Sequence, residues 1–272
     1  MWPGMNDRSI QPRLRFKSAS TFVVYYGANR LDELAMFDVA ILEPSAYSSG
    51  DVAGLSSRGC LPIGYVSVLE SGEHLPHHAR VSAHDFLTVS GSRVAVPEYG
   101  TWVMDVRRPH WREILLSVAG EILDRQGFSG LFLDTVGQVE HHSFPQSLSL
   151  EMSTGVLDLL AALREAHPGA VLIQNLGLER LIRHTAPLLD GVCWEAFGRF
   201  PKENLSDYRW TVRKMKELLR FSRQHGLRVM LLGRSDMDGS LENLFALARW
   251  SGFMCYGTES YSRAIETRFA EN

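Results

Sequence analysis

Cysteine is scarce in this chain. Three cysteines, Cys60, Cys193 and Cys255, occur in 272 residues, and each lies within or beside an apolar run. An odd and small number of cysteines argues against the disulfide framework that stabilises many secreted domains. We therefore expect three free thiols packed in a core.

Long apolar runs are also missing. No stretch approaches the roughly 18 uninterrupted apolar residues of a membrane-spanning helix, so we expect no membrane partner. Residues 1–20 lack the apolar segment of a signal peptide. The chain as it stands is therefore predicted to be cytoplasmic, with secretion as the alternative if a signal peptide has been removed. The same residues are predicted to form a poorly ordered N-terminal extension.

Neither sign of charge predominates. Charged residues make up 22% of the chain and the formal net charge is −3. Proteins that hold a phosphate backbone carry a basic block or stripe, and no block of like charges occurs here. The sequence therefore predicts no nucleic-acid partner.

Short apolar runs alternate with helical patterns over residues 21–272 and predict one domain. Eight such runs, most of them separated by helices, match the number of strands and the size of a (β/α)8 TIM barrel of the α/β class. A doubly wound open sheet is the alternative, but no GxGxxG follows the first strand. The predicted strands cover residues 22–26, 39–42, 63–68, 131–134, 170–173, 191–195, 229–232 and 253–256.

A long insertion at about residues 70–100 interrupts this alternation. It is rich in histidine and small residues, and it is predicted to be a long loop carried by the third strand. Long loops in compact domains are usually functional.

Polar residues follow the predicted strands where each one ends. In a TIM barrel the site is built at the carboxyl ends of the strands, so these side chains should share one face. Carboxylates transfer protons, amides bond hydroxyls and flat rings stack on sugars, which indicates a carbohydrate site. No lysine ends a core strand, which disfavours Schiff-base chemistry. The strand-end residues are Tyr26, Glu43, Glu70, Asp134, Gln174, Asn175, Glu195 and Asp236, with Trp194 beside them.

Histidines suggest a competing interpretation. Six of them lie in the insertion or after the fourth predicted strand: His74, His77, His78, His84, His141 and His142. Their spacing matches no zinc-ligand pattern. We expect neither a metal nor a cofactor, and a metal-dependent hydrolase stays as the less favoured alternative.

Several motifs, in their order along the chain, resemble those of one enzyme family. They are YVS at 65–67 with Glu70, WVMD at 102–105 followed by Arg107, Pro109 and Trp111, GFSGLFLDTV at 127–136, Gln174-Asn175 and Trp194-Glu195. Together they resemble glycoside hydrolase family 114, the TIM-barrel endo-α-1,4-polygalactosaminidases and their relatives. The resemblance runs from about residue 23 to residue 256.

This resemblance implies the chemistry of the site. Asp134 would be the nucleophile and Glu195 the acid/base of a retaining, two-carboxylate hydrolysis of an α-linked, amino-sugar polysaccharide. Glu70, Asp105 and Asn175 would shape the sugar subsite.

The strand-end pattern adds four substrate-binding candidates, Tyr26, Gln174, Trp194 and Asp236. Two alternatives stay open. Asp105 could instead form a local ion pair with Arg107 and Arg108, and the protein could be a catalytically inactive carbohydrate-binding barrel.

The sequence also departs from the family pattern at two positions. The family often has a second acidic residue three positions after the first, and this chain has Gly137 there. The family usually has a glycine directly before the residue that corresponds to Glu70, and this chain has Leu69 there.

Overall fold

Eight parallel strands form the central sheet of the protein. In a computed structural model, residues 7–141, 143–197, 205–233, 245–246 and 248–270 are described, without the side chains of residues 7–10 and 205–208. The barrel strands are β1 (Phe22–Tyr25), β2 (Val39–Leu42), β3 (Leu61–Ser67), β9 (Gly130–Asp134), β10 (Val171–Asn175), β11 (Gly191–Glu195), β12 (Arg228–Gly233) and β13 (Met254–Gly257). Strands β4 to β8 belong to the insertion.

Each barrel strand pairs in parallel with the next one along the chain, in the order β1-β2-β3-β9-β10-β11-β12-β13. The two outer strands approach each other, because the rings of Phe22 in β1 and Tyr256 in β13 have centroids 5.8 Å apart. The sheet is therefore a nearly closed barrel, and the predicted (β/α)8 fold is confirmed. Strand order never reverses, as it would in a doubly wound sheet.

Helices cover the outside of this sheet. Pro109 begins α4, the position at which its fixed φ and missing N–H cost nothing. No helix in the described ranges combines the length and the apolar character needed to cross a bilayer. The helices are α1 (Asp7–Ser18), α2 (Leu31–Leu34), α3 (Ser49–Ser57), α4 (Pro109–Gly120), α5 (Gln146–Ala166), α6 (Ile182–Thr185) and α7 (Leu205–His225).

The N-terminal segment differs from its prediction. Residues 7–18 form helix α1, where the sequence predicted a poorly ordered extension. Phe16 is fully buried, and Arg13 Nε donates to the buried carboxylate of Asp190, just before β11, at 2.8 Å. Arg15 donates to the carbonyl of Gly59, just before β3. Helix α1 thus lies at the amino ends of the strands, where the Phe16 ring, Arg13 and Arg15 hold it. A search for periodic apolar residues does not detect such contacts.

The insertion folds into small antiparallel sheets rather than an irregular loop. Its strands are β4 (Glu70–Ser71), β5 (Thr88–Val89), β6 (Ser92–Arg93), β7 (Ala95–Val96) and β8 (Thr101–Val103). Strand β8 lies between β4 and β7, and β5 forms a hairpin with β6. The buried Asp85 accepts a hydrogen bond from the Ser82 amide at 2.7 Å, and its Oδ2 lies 2.8 Å from Nδ1 of His110 at the start of α4. This anchor fixes the insertion beside the carboxyl ends of the barrel strands.

All three cysteines are buried and free, as expected. Burial raises the pKa of Cys60 and of Cys255 to about 12. They are therefore neutral core thiols at physiological pH.

Candidate active site

Three adjacent strands, β9, β10 and β11, end on the polar residues Asp134, Asn175 and Glu195. Each is followed by a residue other than glycine in the left-handed region of φ, which L-residues rarely adopt. Such a residue turns the chain sharply away and leaves the strand's last side chain at the barrel mouth. The three turning residues are Thr135 (φ 64°), Leu176 (φ 59°) and Ala196 (φ 55°).

Asn175 bridges the two carboxylates. Its Nδ2 donates to Asp134 Oδ1 at 2.7 Å and to Glu195 Oε2 at 2.7 Å. The two acceptor oxygens therefore lie no farther apart than twice that distance. One amide on the middle strand sets the spacing between the carboxylates on its two neighbours.

Tyrosines hold the other carboxylate oxygens. The Tyr65 hydroxyl donates to Asp134 Oδ2 at 2.8 Å, and the Tyr261 hydroxyl donates to Glu195 Oε1 at 3.0 Å. The Tyr26 ring packs against both of these tyrosine rings, with centroid distances of 5.1 Å to Tyr65 and 5.7 Å to Tyr261. Every oxygen of the pair thus has a donor, and the carboxylates are fixed before any ligand arrives.

The pKa of Glu195 is raised. Burial is the main cause, because it disfavours the charged form, and the negative charge of Asp134 acts in the same direction. The hydrogen bonds from Asn175 and Tyr261 oppose the rise in pKa without cancelling it. Glu195 therefore keeps its proton to a higher pH than an ordinary glutamate, which suits a general acid.

Thr135 is secured in its strained conformation by its own side chain. Its Oγ1 accepts hydrogen bonds from the amides of Val68, at 3.1 Å, and Leu69, at 2.8 Å. The same hydroxyl donates to the Asp134 carbonyl at 2.7 Å. A β-branched residue at positive φ is unfavourable alone and persists only where its surroundings over-determine it, as they do here.

The carboxylate pair opens into a cavity of about 780 Å³. No lysine or arginine is among the described residues that line it. The insertion supplies part of the wall, including Tyr99, whose side chain is 62% exposed on the turn between β7 and β8. Six carboxylates line the cavity: Glu43, Glu70, Asp134, Glu140, Glu179 and Glu195.

Glu70 is the most constrained acid that the insertion contributes. It is buried, and its Oε2 accepts from the Thr101 hydroxyl at 2.6 Å while its Oε1 accepts from Gln138 Nε2 at 2.8 Å. Its carboxylate is therefore fixed in the cavity wall.

Most of the predicted site residues come together. Tyr26, Glu70, Asp134, Trp194 and Glu195 line the cavity, and Asn175 bridges the catalytic candidates. Trp194 is only 6% exposed and packs edge-on against Phe197 and Trp210, so it supports the wall more than it offers a free face.

Two predicted residues, Gln174 and Asp105, are not part of this arrangement. Gln174 is buried one residue deeper in β10, where its Nε2 donates to the Leu176 carbonyl at 2.8 Å and holds the strained turn. Asp105 is not among the described cavity-lining residues, and it forms the local ion pair with Arg107, at 2.7 Å, and Arg108, at 3.2 Å. In the structure both residues therefore make structural contacts and do not line the cavity. Asp236 lies outside the described residues.

Sequence reasoning missed Tyr261, Tyr99 and Gln138. Tyr261 comes after the last strand, in a segment without periodic pattern, and no local signal distinguishes it. Tyr99 lies in the insertion, and Gln138 lies in the 3-10 helix Val136–Glu140. Both are at the carboxyl face of the barrel, where the connections after the strands are expected to carry function.

The glycine at the family's second acidic position is tightly packed against the turn after β10. A Cβ placed on Gly137 would lie 3.0 Å from the Leu176 Cβ and 3.3 Å from the Gly177 amide nitrogen. The left-handed turn after β10 thus occupies the space that a side chain at 137 would need.

The histidines make separate contacts instead of forming one shared site. His78 Nδ1 lies 2.9 Å from the Ser71 hydroxyl, and His77 packs beside Trp111, where burial lowers its pKa to about 4. Within the part of the chain that the structure describes, no group of three or more His, Cys, Asp or Glu residues is arranged to hold a metal ion.

Comparison with known proteins identifies the family. The sequence profile of glycoside-hydrolase family GH114 matches residues 6–225. A search of curated protein sequences found no match.

Solved structures show the same fold. The glycoside hydrolase domain of PelA from Pseudomonas aeruginosa has a TM-score of 0.72 and 24% identity, covering 89% of this chain and 96% of that one. Ega3 from Aspergillus fumigatus, in complex with galactosamine, has a TM-score of 0.66 and 12% identity, covering 88% and 91%. An α-galactosidase from Thermus thermophilus has a TM-score of 0.59 and 15% identity, covering 93% and 62%.

The motif resemblance is thereby confirmed by a profile match over most of the chain. The protein belongs to glycoside hydrolase family 114 and is a glycosidase.

Proposed function

We propose that this glycosidase hydrolyses an α-linked galactosamine polysaccharide with Asp134 as nucleophile and Glu195 as acid/base. The observation that carries the proposal is the pair of carboxylates held 2.7 Å from one shared amide nitrogen at the floor of an acid-lined cavity. Family membership fits the same activity.

In the first step an Asp134 oxygen attacks the anomeric carbon and the bond from that carbon to the leaving oxygen breaks. The Glu195 proton passes to that oxygen and releases the first product. In the second step the Glu195 carboxylate takes a proton from water, whose oxygen attacks the same carbon and frees Asp134. The raised pKa of Glu195 supports its acid role in the first step.

The spacing of the carboxylates supports retention over inversion. Retaining glycosidases have carboxyl groups about 5 to 5.5 Å apart, whereas inverting enzymes need about 6.5 to 9.5 Å to admit a water. Two oxygens that share one donor nitrogen at 2.7 Å each belong to the close class. A larger gap would break the Asn175 bridge.

The charge of the cavity supports an amino sugar with a free amine. The described cavity lining contains carboxylates but no lysine or arginine. The electrostatic potential in the cavity is therefore negative, so it attracts cations and repels anions. Among them Glu70 is fixed in place by Thr101 and Gln138, so it can receive an ammonium group without reorganising. N-acetylation would remove the charge that this potential selects.

Tyr99 supports binding of a sugar ring at the rim. Its ring is largely exposed and lines the cavity. Burial, then the charge of Glu98 and after it that of Glu195, raises the pKa of Tyr99, so its hydroxyl stays protonated. An exposed aromatic face beside a carboxylate can stack on a pyranose or contact its ammonium group.

The test is hydrolysis of matched α-1,4-linked galactosamine and N-acetylgalactosamine oligomers, followed by mass spectrometry. We expect kcat/KM to be at least about tenfold higher for the free amine, equivalent to one charge-assisted contact. The preference should shrink in the Glu70→Gln variant, which keeps the size of the side chain. Equal rates on both oligomers would reject the amine selection, and the absence of products from either would reject the substrate class.

Stereochemistry gives an independent prediction. If Asp134 forms a covalent intermediate, the newly released reducing end should first appear with the α configuration of the substrate. Proton NMR of the anomeric signals, recorded before mutarotation, measures this. An initial β signal would show inversion and withdraw the nucleophile role.

A further inference from the structure

Helix α7 carries a row of cations that the activity described above does not use. They recur at steps of four, three, four and three, which places them on one face of the helix. All five are exposed, and they span about 21 Å at 1.5 Å per residue. The row consists of Arg209, Arg213, Lys216, Arg220 and Arg223.

The middle of this row lines a groove of about 620 Å³. Glu179 lines both this groove and the catalytic cavity, so the two are neighbours. Trp210, on the same helix, lines the catalytic cavity and donates from Nε1 to Glu179 Oε1 at 3.1 Å. A chain leaving the cavity past Glu179 would therefore enter the groove.

Part of the charge in the groove is neutralised internally. Lys214 is 3% exposed and bonds Glu217 at 2.8 Å, and it lies 3.6 Å from Glu179. Arg183 pairs with the same Glu217 at 3.0 Å. These contacts account for both acids that line the groove.

The remaining groove cations, Arg213, Lys216 and Arg220, have no ion-pair partner among the described residues. The guanidinium carbon of Arg220 lies 5.3 Å from the centroid of the Phe221 ring. Three exposed cations on one helix face, in a protein of net charge −3, repel one another unless an anion lies between them. The groove thus has the opposite sign from the cavity beside it.

We propose that this groove on α7 binds an anionic polysaccharide strand. A guanidinium group matches a carboxylate bidentately, and Arg213 and Arg220, about 10.5 Å apart along the helix, can engage two acidic sugars of one strand. A polysaccharide, rather than another polyanion, is favoured because the groove adjoins the cavity of a glycosidase. The proposal rests on the assignment of that cavity to carbohydrate, but not on which sugar is cleaved.

The change of sign has a consequence for substrate selection. A polymer of uniform cationic charge would be attracted by the cavity and repelled by the groove. The two together suit a chain, or a pair of associated chains, that brings positive sugars to the cavity and negative ones to α7.

The experiment measures binding of α-1,4-linked oligogalacturonate, which has the galacto configuration and the opposite charge from galactosamine. Titration calorimetry on the Asp134→Asn variant separates binding from cleavage. We expect binding that weakens with added salt, and that weakens by about ten- to a hundredfold in Arg213→Ala/Arg220→Ala, as for loss of charge-assisted hydrogen bonds. The matched control is Arg125→Ala/Arg249→Ala, which removes the same charge from exposed sites that do not line the groove.

Three outcomes would overturn the proposal. They are undetectable binding of oligogalacturonate, equal loss of affinity in both double variants, and equal or tighter binding of a DNA oligonucleotide or of anionic vesicles through the same arginines. Hydrolysis of galactosamine oligomers by the otherwise wild-type double variants is measured in parallel. Its absence in every protein, with groove binding intact, would reject the proposed function and leave the groove assignment standing.

Discussion

Asp134→Asn and Glu195→Gln should each lower kcat on a natural oligosaccharide by about four orders of magnitude, the size expected when a residue that forms or breaks bonds is removed. The near-isosteric amides keep the volume of the site. Steady-state kinetics with purified oligomers measures the loss. Unchanged turnover in either variant would exclude that residue from the reaction.

The two variants should differ on an activated substrate. An aryl glycoside with an acidic leaving group needs little protonation, so Glu195→Gln should recover much of the rate of its first step while Asp134→Asn should not. Equal impairment of both would contradict the assigned roles.

Stability provides the control for folding. The folded-state pKa of Glu195 lies above its unfolded value, so folding stability falls as pH rises from the unfolded pKa through the folded one. Above the folded-state pKa the buried negative charge of Glu195 lowers folding stability by a constant amount. The Glu195→Gln substitution removes that charge and its cost. The variant should therefore melt at the same or a higher temperature at neutral pH, whereas a large drop would indicate a structural role.

Asn175→Leu should lower kcat by about a hundredfold, comparable to the loss of one preorganised donor at a reacting charge. Removal of the amide leaves Asp134 and Glu195 without their common hydrogen bond and increases their mutual repulsion. Because that bond lowers the pKa of Glu195, its loss should raise the pKa further. The basic limb of the pH profile of kcat/KM should then move to higher pH.

Gln174→Met is the matched control for Asn175→Leu. Gln174 is the preceding residue of β10, equally buried, and it bonds the Leu176 carbonyl instead of a carboxylate. Its loss should leave the pH profile in place even if stability falls. A basic limb that moves in Gln174→Met, or stays fixed in Asn175→Leu, would show that the amide bridge does not tune the acid.

The sequence predicts the part of the site that strand ends determine. The apolar run Leu131 to Leu133 is buried on both faces, so only the residue after it could reach the mouth, and Asp134 does. The same reasoning placed Glu195 two strands away, and the sheet order confirms the intervening strand. Backbone geometry is enough for such positions.

Side-chain direction is not predictable in this way. For Asp105 the sequence left a sugar subsite and a local ion pair both open, and the structure has the ion pair with Arg107 and Arg108. Gln174 and Asn175 are adjacent, and only the second points between the carboxylates, because successive residues of a strand alternate in direction. Tyr261 reaches Glu195 from a connection whose course depends on the whole barrel.

The overall composition also does not show where on the protein the charges lie. A net charge of −3 indicates no basic surface, but helix α7 presents five cations on one face while the cavity collects carboxylates. An average over the chain cannot show that two opposite potentials lie side by side.

The left-handed residues after β9, β10 and β11 affect how the enzyme can adapt to temperature. Each of the three holds roughly 1 to 3 kcal/mol of backbone strain that glycine would release. Glycine there would also widen the range of directions in which Asp134, Asn175 and Glu195 could point. A heat-adapted relative can therefore gain folding stability at other positions without loosening the reacting groups. At these three turns, rigid placement of the reacting groups is retained although it lowers the stability of the folded state.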